Sequence, residues 1–311
     1  MLKNTKHDLT IYIVTRDRHL QALDAIKSVL SQNCDNYRLI VSDNSRENYL
    51  QNCIEKFSNK LKYIRRSGLL SALEHFNACI SEVDTKFFAL FHDDDLMFSN
   101  FVESFWSAYS KFPNAIAYGS NAIIKKGERY LGEAFKAPLR YVGPVNAIDL
   151  GCRYFGRHQM GIAPLPSYVY RKTSMLEFDL NLGKYGDVQW LLMNAELGDL
   201  VWINKPLMTY QLHDGNDSNI ESLGDRLKLL GFFKRHKDFS NSILLANYRR
   251  FLYKKILLKN NILEKSYRGK LLRNYLFYSQ LTPRFIVNNY YDLFKKLIIK
   301  TQITLISIFK K

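Results

Sequence analysis

The sequence lacks the features that mark disulfide-rich, secreted and membrane-spanning chains. Its 311 residues include only four cysteines, which are widely spaced with no CxxC pair, so neither a disulfide framework nor a zinc site is indicated. No uncharged apolar run approaches the roughly 20 residues of a membrane-spanning helix. The apolar stretch from Leu9 to Val14 is too short for a secretory signal. We expect a cytosolic protein whose cysteines are reduced and serve as small core residues.

Acidic side chains are scarce in the last part of the chain. Residues 1–224 hold 25 basic and 25 acidic residues, whereas residues 225–311 hold 20 basic and 4 acidic ones, so the second range accounts for the whole formal net charge of +16. A hydrophobic content of 47% and an aromatic content of 14% exclude a disordered or fibrous chain. We therefore expect a large domain over residues 1–224 and a distinct basic region over residues 225–311.

Strand-like and helical patterns alternate along the first hundred residues. The predicted strands are Leu9–Val14, Tyr37–Val41, Leu61–Ile64 and Phe87–Phe91, and the predicted helices are His19–Ser31, Tyr49–Phe57 and Leu69–Ile80. The first helix has an apolar face made of Leu20, Leu23, Ile26, Val29 and Leu30. Such alternation predicts βαβ units and a parallel sheet, and hence an α/β fold.

Polar residues gather directly after three of the predicted strands. They are Thr15, Arg16, Asp17 and Arg18 after the first, Ser42, Asp43, Asn44 and Ser45 after the second, and His92, Asp93, Asp94 and Asp95 after the fourth. Ligands of open α/β sheets bind outside the carboxyl ends of the strands. We therefore expect these three groups to meet on one rim and to form the functional site.

The three consecutive carboxylates are the strongest single signal in the sequence. Adjacent carboxylates repel one another, so placing them at the end of a buried strand calls for a compensating cation or wide exposure to solvent. In an extended segment Asp93 and Asp95 share one side and Asp94 points to the other. Such oxygens suit Mg²⁺ or Mn²⁺. The alternatives are a solvated acidic turn or an N-cap cluster before a helix near Asn100.

Several motifs, taken in order, carry a resemblance to a known family. They are the Thr15 loop, Val41 to Ser45, Gly68 to Asn77, Phe91 to Asp95, Tyr185-Gly186-Asp187 and Tyr210 to Ser218. Residues 9 to about 217 resemble the nucleotide-sugar-dependent glycosyltransferases of family 2, which have the GT-A fold. The resemblance implies a Rossmann-like α/β/α sandwich with a mostly parallel central sheet over residues 1–224, followed by the basic helical region.

The resemblance also implies roles for individual residues. Asp187 would be the catalytic base, Asp95, Asp93 and His213 would hold Mn²⁺ or Mg²⁺, and the nucleotide-sugar would be bound by Thr15, Arg16, Asp43, Asn44, Asn77, Asp93 and Asp94. Each role has a structural alternative. Asp187 precedes a predicted helix, Val188–Leu197, and could be its N-cap; His213 could be a plain surface residue; Trp190 could stack on a sugar or belong to the core.

The implied reaction is transfer of a sugar with inversion at the anomeric carbon. No nucleophilic Ser or Cys with a partnered His is evident, which favours a one-step displacement. We expect a UDP-hexose as donor, and a glycan or lipid-linked oligosaccharide acceptor in bacterial surface polysaccharide synthesis, such as O-antigen, capsule or lipooligosaccharide. The alternatives are a sugar-nucleotide pyrophosphorylase, disfavoured because Thr15 to Arg18 contains no glycine, and a non-catalytic basic adaptor.

The basic region combines positive charge with apolar residues at helical spacing. Its clearest stripe is Leu244, Leu245, Tyr248, Phe251, Leu252 and Ile256, and Tyr290, Phe294, Leu297, Ile298 and Leu305 continue the pattern. Basic amphipathic helices suit an anionic membrane interface, which predicts a peripheral protein on the inner face of the cytoplasmic membrane. An ordinary helical subdomain with solvated lysines is the alternative, and no nucleic-acid partner is expected.

Overall fold

The computed structural model describes residues 8–136, 142–156, 161–172, 176–213 and 222–259. Its strands are β1 Leu9–Thr15, β2 Arg38–Asp43, β3 Leu61–Arg65, β4 Phe87–His92, β5 Leu96–Met97, β6 Ala117–Lys126, β7 Arg129–Glu133, β8 Val142–Val145, β9 Tyr168–Arg171 and β10 Leu200–Gln211. Its α-helices are α1 His19–Leu30, α2 Tyr49–Ile54, α3 Ala72–Ser81, α4 Phe101–Lys111, α5 Ala147–Phe155, α6 Gly186–Leu197, α7 Leu223–Arg235 and α8 Ile243–Lys259. Short 3₁₀ segments cover Glu55–Phe57, Leu165–Ser167 and Leu180–Tyr185.

The described strands form one mixed sheet in the order β3-β2-β1-β4-β9-β6-β10-β5, with β7 beside β6 and β8 beside β10. The pairs β3-β2, β2-β1, β1-β4 and β6-β10 are parallel. Strand β9 runs antiparallel between β4 and β6. The α/β architecture predicted from the alternating pattern is thus confirmed, with an antiparallel strand inserted where the parallel series would have continued.

The core lies on both faces of β1 and β4, which are buried almost throughout. In β1, Leu9, Ile11 and Ile13 are fully buried and belong to the same apolar cluster as Ile26 and Val29 of α1. Continuous burial of this kind is what a parallel strand covered by helices requires. The face of α1 differs in one detail from the prediction: Leu20 is 65% exposed, and Ala22 and Ala25 are buried instead.

Helix α3 begins three residues later than the pattern predicts. Gly68 and Leu69 both have positive φ, of 91° and 48°, so the chain turns there instead of entering the helix. The Ser71 side chain then accepts a hydrogen bond from the Glu74 backbone, and the Glu74 carboxylate accepts one from the Ser71 N–H. This capping box sets the first turn of α3.

The cysteines are free, as expected, but only one of them is a core residue. Cys79 is buried, Cys34 and Cys152 are partly exposed, and Cys53 is exposed. The prediction that all four fill the core is therefore wrong for Cys53, while Cys34 packs against the core only partly buried and Cys152 is partly exposed. Among the described residues, no helix is both long enough and apolar enough to span a bilayer.

The chain divides into two compact units. One comprises residues 1–154 and 160–231, and holds the whole sheet; the other comprises residues 155–159 and 232–311. The domain boundary predicted after residue 224 stays a prediction.

The second unit has an aromatic core of its own. The ring of Phe155 lies 5.9 Å from that of Phe233 and 4.7 Å from that of Tyr248, measured between centroids. On α8, Leu244, Leu245, Tyr248 and Leu252 are all buried. The stripe that was interpreted as a membrane-facing surface is therefore packed inside the protein over these residues, which corrects that interpretation. Tyr290 and the apolar residues after it lie outside the described residues.

Candidate active site

The parallel register brings the predicted polar groups together at one rim of the sheet. Thr15 is paired with Asp43 across β1 and β2, Val14 is paired with His92 across β1 and β4, and Asp43 is paired with Arg65 across β2 and β3. The acidic residues follow immediately after His92, between β4 and β5. The carboxyl ends of four adjacent strands thus surround the site, as the sequence predicts.

Asp93 is held by the loop that follows β1. Its Oδ2 accepts hydrogen bonds from the Thr15 hydroxyl at 2.7 Å and from the Arg16 backbone N–H at 3.3 Å, and its Oδ1 lies 3.3 Å from Nη1 of Arg18. Only 5% of the residue is exposed. Burial raises the pKa of Asp93 to about 6, against the lowering effects of the Thr15 hydroxyl and of Arg18.

Asp94 lies among cationic and imidazole groups. Its Oδ2 accepts a hydrogen bond from Nη1 of Arg18 at 2.8 Å and lies 2.8 Å from Nε2 of His213. Burial alone would raise the pKa of Asp94, but His92, His213 and Arg18 together lower it. Asp94 is therefore the member of the acidic cluster that most readily keeps its negative charge.

Asp95 is the most deeply buried of the three carboxylates, with 1% of the residue exposed. Its Oδ1 accepts a hydrogen bond from the Gln211 N–H at 3.0 Å, and its Oδ2 has no hydrogen-bond partner among the described residues. Burial, together with the charge of Asp94, raises the pKa of Asp95 well above its usual range. An ionised Asp95 needs a cation beside it.

The three side chains that can converge on such a cation are His92, Asp94 and Asp95. One ligand atom from each lies within 4.8 Å of the others. This differs from the expected alternation, in which Asp93 and Asp95 share a side and Asp94 faces away. The rule holds only in extended backbone, and here β4 ends at His92 and the chain turns at Asp93 and Asp94.

Asp43 is fully buried at the end of β2. Its Oδ1 accepts a hydrogen bond from the Ser45 N–H at 2.8 Å, and its Oδ2 accepts one from the Tyr63 hydroxyl at 2.7 Å and lies 3.3 Å from Nη1 of Arg65. These contacts orient the carboxylate, while its remaining lone pairs can still accept from a bound base. The role of Asp43 in nucleotide binding stays a prediction.

Asn44 and Asn77 each hydrogen-bond to the backbone of a neighbouring segment through both the nitrogen and the oxygen of the side-chain amide. Asn44 donates to the Leu70 carbonyl at 2.7 Å and accepts from the Leu70 N–H at 3.0 Å. Asn77 does the same with Phe178, at 3.0 and 2.7 Å. The Arg16 guanidinium also donates to the Leu70 carbonyl, at 3.1 Å. Through these contacts Asn44, Asn77 and Arg16 help to build the rim of the site. Contacts between these three residues and the nucleotide-sugar stay predictions.

Asp187 lies in the first turn of α6 but is not its N-cap, which is Tyr185. Its Oδ1 accepts a hydrogen bond from the Val188 N–H at 2.7 Å. The residue is partly exposed, but the protein packed around its carboxylate removes much of the surrounding water. This desolvation raises the pKa of Asp187 to about 6. A carboxylate with this pKa suits general-base chemistry near neutral pH. Its catalytic role stays a prediction.

Trp190 belongs to the core and not to an exposed sugar platform. It is 2% exposed, and its ring stacks on Phe178 with a centroid separation of 4.5 Å and meets Tyr170 edge-on at 4.6 Å. Of the two predictions for Trp190, a core residue or a surface that stacks on a sugar, the structure therefore confirms the core residue.

Tyr63, Arg65 and Gln211 complete the site but were not among the predicted site residues, whereas Arg18 and His92 were predicted to lie on the rim without an individual role. Arg18 and His92 stand directly beside predicted residues in the chain, so their position after a strand was the signal available. Tyr63, Arg65 and Gln211 meet the site only through strand pairing, which local sequence does not reveal.

Comparisons with known proteins agree with this arrangement. Residues 10–160 match the sequence model of the family described as Glycosyl transferase family 2. A comparison with curated proteins gives no significant match.

Solved structures share the fold at low sequence identity. The structure of S. aureus TarS 1-349 in complex with UDP-GlcNAc is 14% identical, with a TM-score of 0.56, over 92% of this chain and 75% of that chain. The mannosyltransferase PcManGT from Pyrobaculum calidifontis, in complex with GDP-Man and Mn²⁺, is 9% identical, with a TM-score of 0.50, over 88% of this chain and 70% of that chain. Residues 10–160 therefore match Glycosyl transferase family 2, and the chain shares the GT-A fold of these two glycosyltransferase structures.

Proposed function

We propose that the protein transfers a sugar from a nucleotide-sugar to a hydroxyl group of a glycan, with inversion at the anomeric carbon. The observation that carries this proposal is the buried acidic cluster at the rim of the sheet, in a segment that matches family 2. The neighbouring structures hold UDP-GlcNAc in one case and GDP-Man in the other. We propose a UDP-hexose as the donor of this chain.

The residues present fit a divalent cation, Mn²⁺ or Mg²⁺. Oδ2 of Asp95 has no hydrogen-bond partner in the described ranges, and His92 and Asp94 offer ligand atoms within reach of Asp95. The Pyrobaculum mannosyltransferase structure contains Mn²⁺, which supports the proposal. When bound, such a cation would offset the negative charge that develops on the departing diphosphate. His213, which contacts Asp94, is proposed to complete this group.

The loops of the rim would bind the donor. We propose that Asp43 accepts from the N–H of the base, because its carboxylate is fixed by Tyr63 and Arg65 at the end of β2. Thr15 and Asp93 would line the path of the ribose and diphosphate. The turn made by Gly68 and Leu69 closes this side of the site through Asn44.

Asp187 would act as the general base. Its carboxylate takes the proton of the acceptor hydroxyl while that oxygen forms a bond to the anomeric carbon. The bond between the anomeric carbon and the diphosphate oxygen breaks on the opposite face, so the configuration inverts and the nucleoside diphosphate carries away the electron pair. A single displacement needs no covalent enzyme intermediate.

The acceptor is proposed to be a glycan or lipid-linked oligosaccharide of a bacterial surface polysaccharide, reached at the inner face of the cytoplasmic membrane. The support is the basic composition of residues 260–311, which hold ten basic and two acidic side chains. Burial of the apolar stripe on α8 leaves this segment, and not residues 244–252, as the part proposed to contact the bilayer.

The experiment that tests the transferase is a donor screen. The purified protein is incubated with UDP-, GDP- and dTDP-sugars and Mn²⁺ or Mg²⁺, and release of nucleoside diphosphate is measured with and without glycan acceptors. We expect release from a UDP-hexose. Strict use of a GDP-sugar would overturn the donor assignment, and release of pyrophosphate from a sugar phosphate and a nucleoside triphosphate would identify a pyrophosphorylase instead.

Three variants assign the roles within that assay. Asp95→Asn and Asp187→Asn should each lower the rate of transfer at least about a hundredfold, since each removes a charge used in the reaction. Asp24→Asn is the matched control, because Asp24 is an exposed residue of α1 whose ion pair, within the part of the chain that the structure describes, is with Lys27. Full activity in either site variant would contradict the role given to that residue.

A further inference from the structure

Arg18 occupies an unusual position among the charges of the site. Its Nη1 lies 3.3 Å from Oδ1 of Asp93 and 2.8 Å from Oδ2 of Asp94, so one guanidinium nitrogen bridges two neighbouring carboxylates. The Arg18 side chain is 32% exposed, and the two carboxylate side chains are 7% and 11% exposed. The positive charge thus lies at the mouth of the cluster, with its partners beneath it.

The same carboxylate faces both Arg18 and the cation-binding group. Asp94 is one of the three residues whose ligand atoms converge, and the oxygen that accepts from Arg18 also contacts His213. A divalent cation held by Asp94 and Asp95 would therefore lie within a few ångströms of the guanidinium. Like charges at such a distance in a partly buried site repel strongly.

We propose that Arg18 is the resident counter-cation of the acidic cluster: it balances Asp93 and Asp94 in the free enzyme and sets the affinity of the site for divalent cations. This inference rests on the proposed metal-dependent function. Arg18 is a positioning residue in this role, because it acts through the two carboxylates. Its guanidinium is partly exposed, so it can also contact the anionic diphosphate of an arriving nucleotide-sugar.

The bridging contact has two measurable consequences. Without Arg18 the cluster has less positive charge near it, so the free protein should bind Mn²⁺ roughly tenfold more tightly or better. The buried carboxylates would also lose a compensating charge, so the variant should be less stable in the presence of a chelator and should regain stability when Mn²⁺ is added.

The test measures Mn²⁺ binding to the full chain without any donor, by the loss of the free Mn²⁺ electron paramagnetic resonance signal during titration. We expect tighter binding in Arg18→Ala and Arg18→Gln, and wild-type affinity in Arg18→Lys, which keeps the charge. Arg46→Ala is the matched control: Arg46 is an exposed arginine whose Nε lies 3.9 Å from Asp17, outside the cluster. Melting temperatures in chelator and in Mn²⁺ accompany each titration.

The outcomes separate this inference from the transferase itself. Tighter Mn²⁺ binding in both neutral variants, with Arg18→Lys and Arg46→Ala at the wild-type affinity, supports the counter-cation role. Recovery of an unstable Arg18→Ala by Mn²⁺ supports it as well. Equal Mn²⁺ affinity in the wild type and both neutral variants, or no Mn²⁺ binding by any of them, overturns it. Failure of sugar transfer would appear only in the donor screen.

Discussion

Asp187 illustrates how one residue can lower stability while suiting a reaction. The protein around it leaves the carboxylate poorly hydrated, and its pKa rises from an ordinary value near 3.8 to about 6. The folded state therefore binds a proton that the unfolded state has already released between these two values. Stability falls as the pH rises through this window, and above about pH 6 the full penalty is present.

We predict that Asp187→Asn stabilises the protein by about 2 kcal/mol at pH 7.5 while abolishing transfer. The amide has nearly the same shape and carries no charge to desolvate. Urea unfolding at pH 7.5 measures the gain. The same experiment at pH 4 provides the control, because there the folded-state carboxyl is protonated and the pH is close to the unfolded-state pKa, so most of the penalty is absent. A variant that is less stable than the wild type at pH 7.5 would contradict the cause given for the pKa.

The same pKa predicts the pH dependence of the reaction. A general base works only when ionised, so kcat/KM should rise through about pH 6 and fall roughly tenfold per pH unit below it. Asp93, with a pKa also near 6, can make this limb steeper if donor binding needs its charge. Initial rates between pH 4.5 and 8 measure the profile. A flat profile down to pH 5 would exclude Asp187 as the base.

At the scale of elements, the strands were the most predictable part of the fold. Phe87–Phe91 is apolar without interruption and Leu9–Val14 is interrupted only by Thr10 and the hydroxyl of Tyr12, and only a strand covered on both faces buries such a run. Helix starts were less predictable. Leu69 continues an apolar pattern, yet its φ of 48° and the capping box at Ser71 delay α3 to Ala72. Local hydrogen bonds decided the start of this helix, and hydrophobic spacing did not report them.

The order of the strands predicted which residues meet at the rim, but it did not predict how their side chains are oriented. The parallel register explains why Thr15, Asp43 and His92 come together. The orientation of the carboxylates depended on where β4 ends, and the turn at Asp93 and Asp94 brought a ligand atom of Asp94 close to Asp95. Residues two apart face the same side only within a strand, so predicting which carboxylates share a side requires knowing where the strand ends.

At Gly161 two segments of the first unit approach each other closely. Gly161 forms a bridge with Phe135 at a φ of 77°, and a Cβ there would lie 1.9 Å from the Ala134 carbonyl oxygen. We predict that Gly161→Ala destabilises the protein by more than about 3 kcal/mol, because a backbone atom must move. Thermal unfolding measures the effect.

Gly127→Ala is the matched control for that prediction. Gly127 also has a positive φ, of 57°, but a Cβ at this position meets nothing within 4 Å. Its cost should be limited to the left-handed backbone, about 1 kcal/mol. Similar losses from the two substitutions would show that the close approach at Gly161 has no energetic weight.

At the scale of the whole molecule, composition located the basic charge, but the spacing of the apolar residues was misinterpreted. The charge excess does lie in residues 225–311. The stripe on α8 had helical spacing suited to a membrane surface and to a protein core alike, and Tyr248 and Leu252 are buried in a core with Phe155. Spacing reports that a helix has an apolar face; it does not report what covers that face.

The remaining support for membrane binding is the charge of residues 260–311, which makes a sharper prediction possible. The full chain should sediment with vesicles of phosphatidylglycerol and phosphatidylethanolamine, and a chain ending at Lys259 should not. Ten basic residues against two acidic ones supply the attraction, at about 1 kcal/mol for each basic side chain near an anionic surface. Ending the chain there keeps the buried positions of α8, which a deletion from residue 225 would remove.

Two controls give that sedimentation experiment its meaning. Neutral phosphatidylcholine vesicles should retain neither chain, and added salt should release the full chain because screening weakens the attraction. Circular dichroism and thermal unfolding show whether the shortened chain keeps its fold. Equal sedimentation of the two folded chains would refute membrane binding by residues 260–311. A shortened chain with a lower melting temperature and no change in sedimentation would assign them a packing role instead, because their apolar residues would then be stabilising the protein.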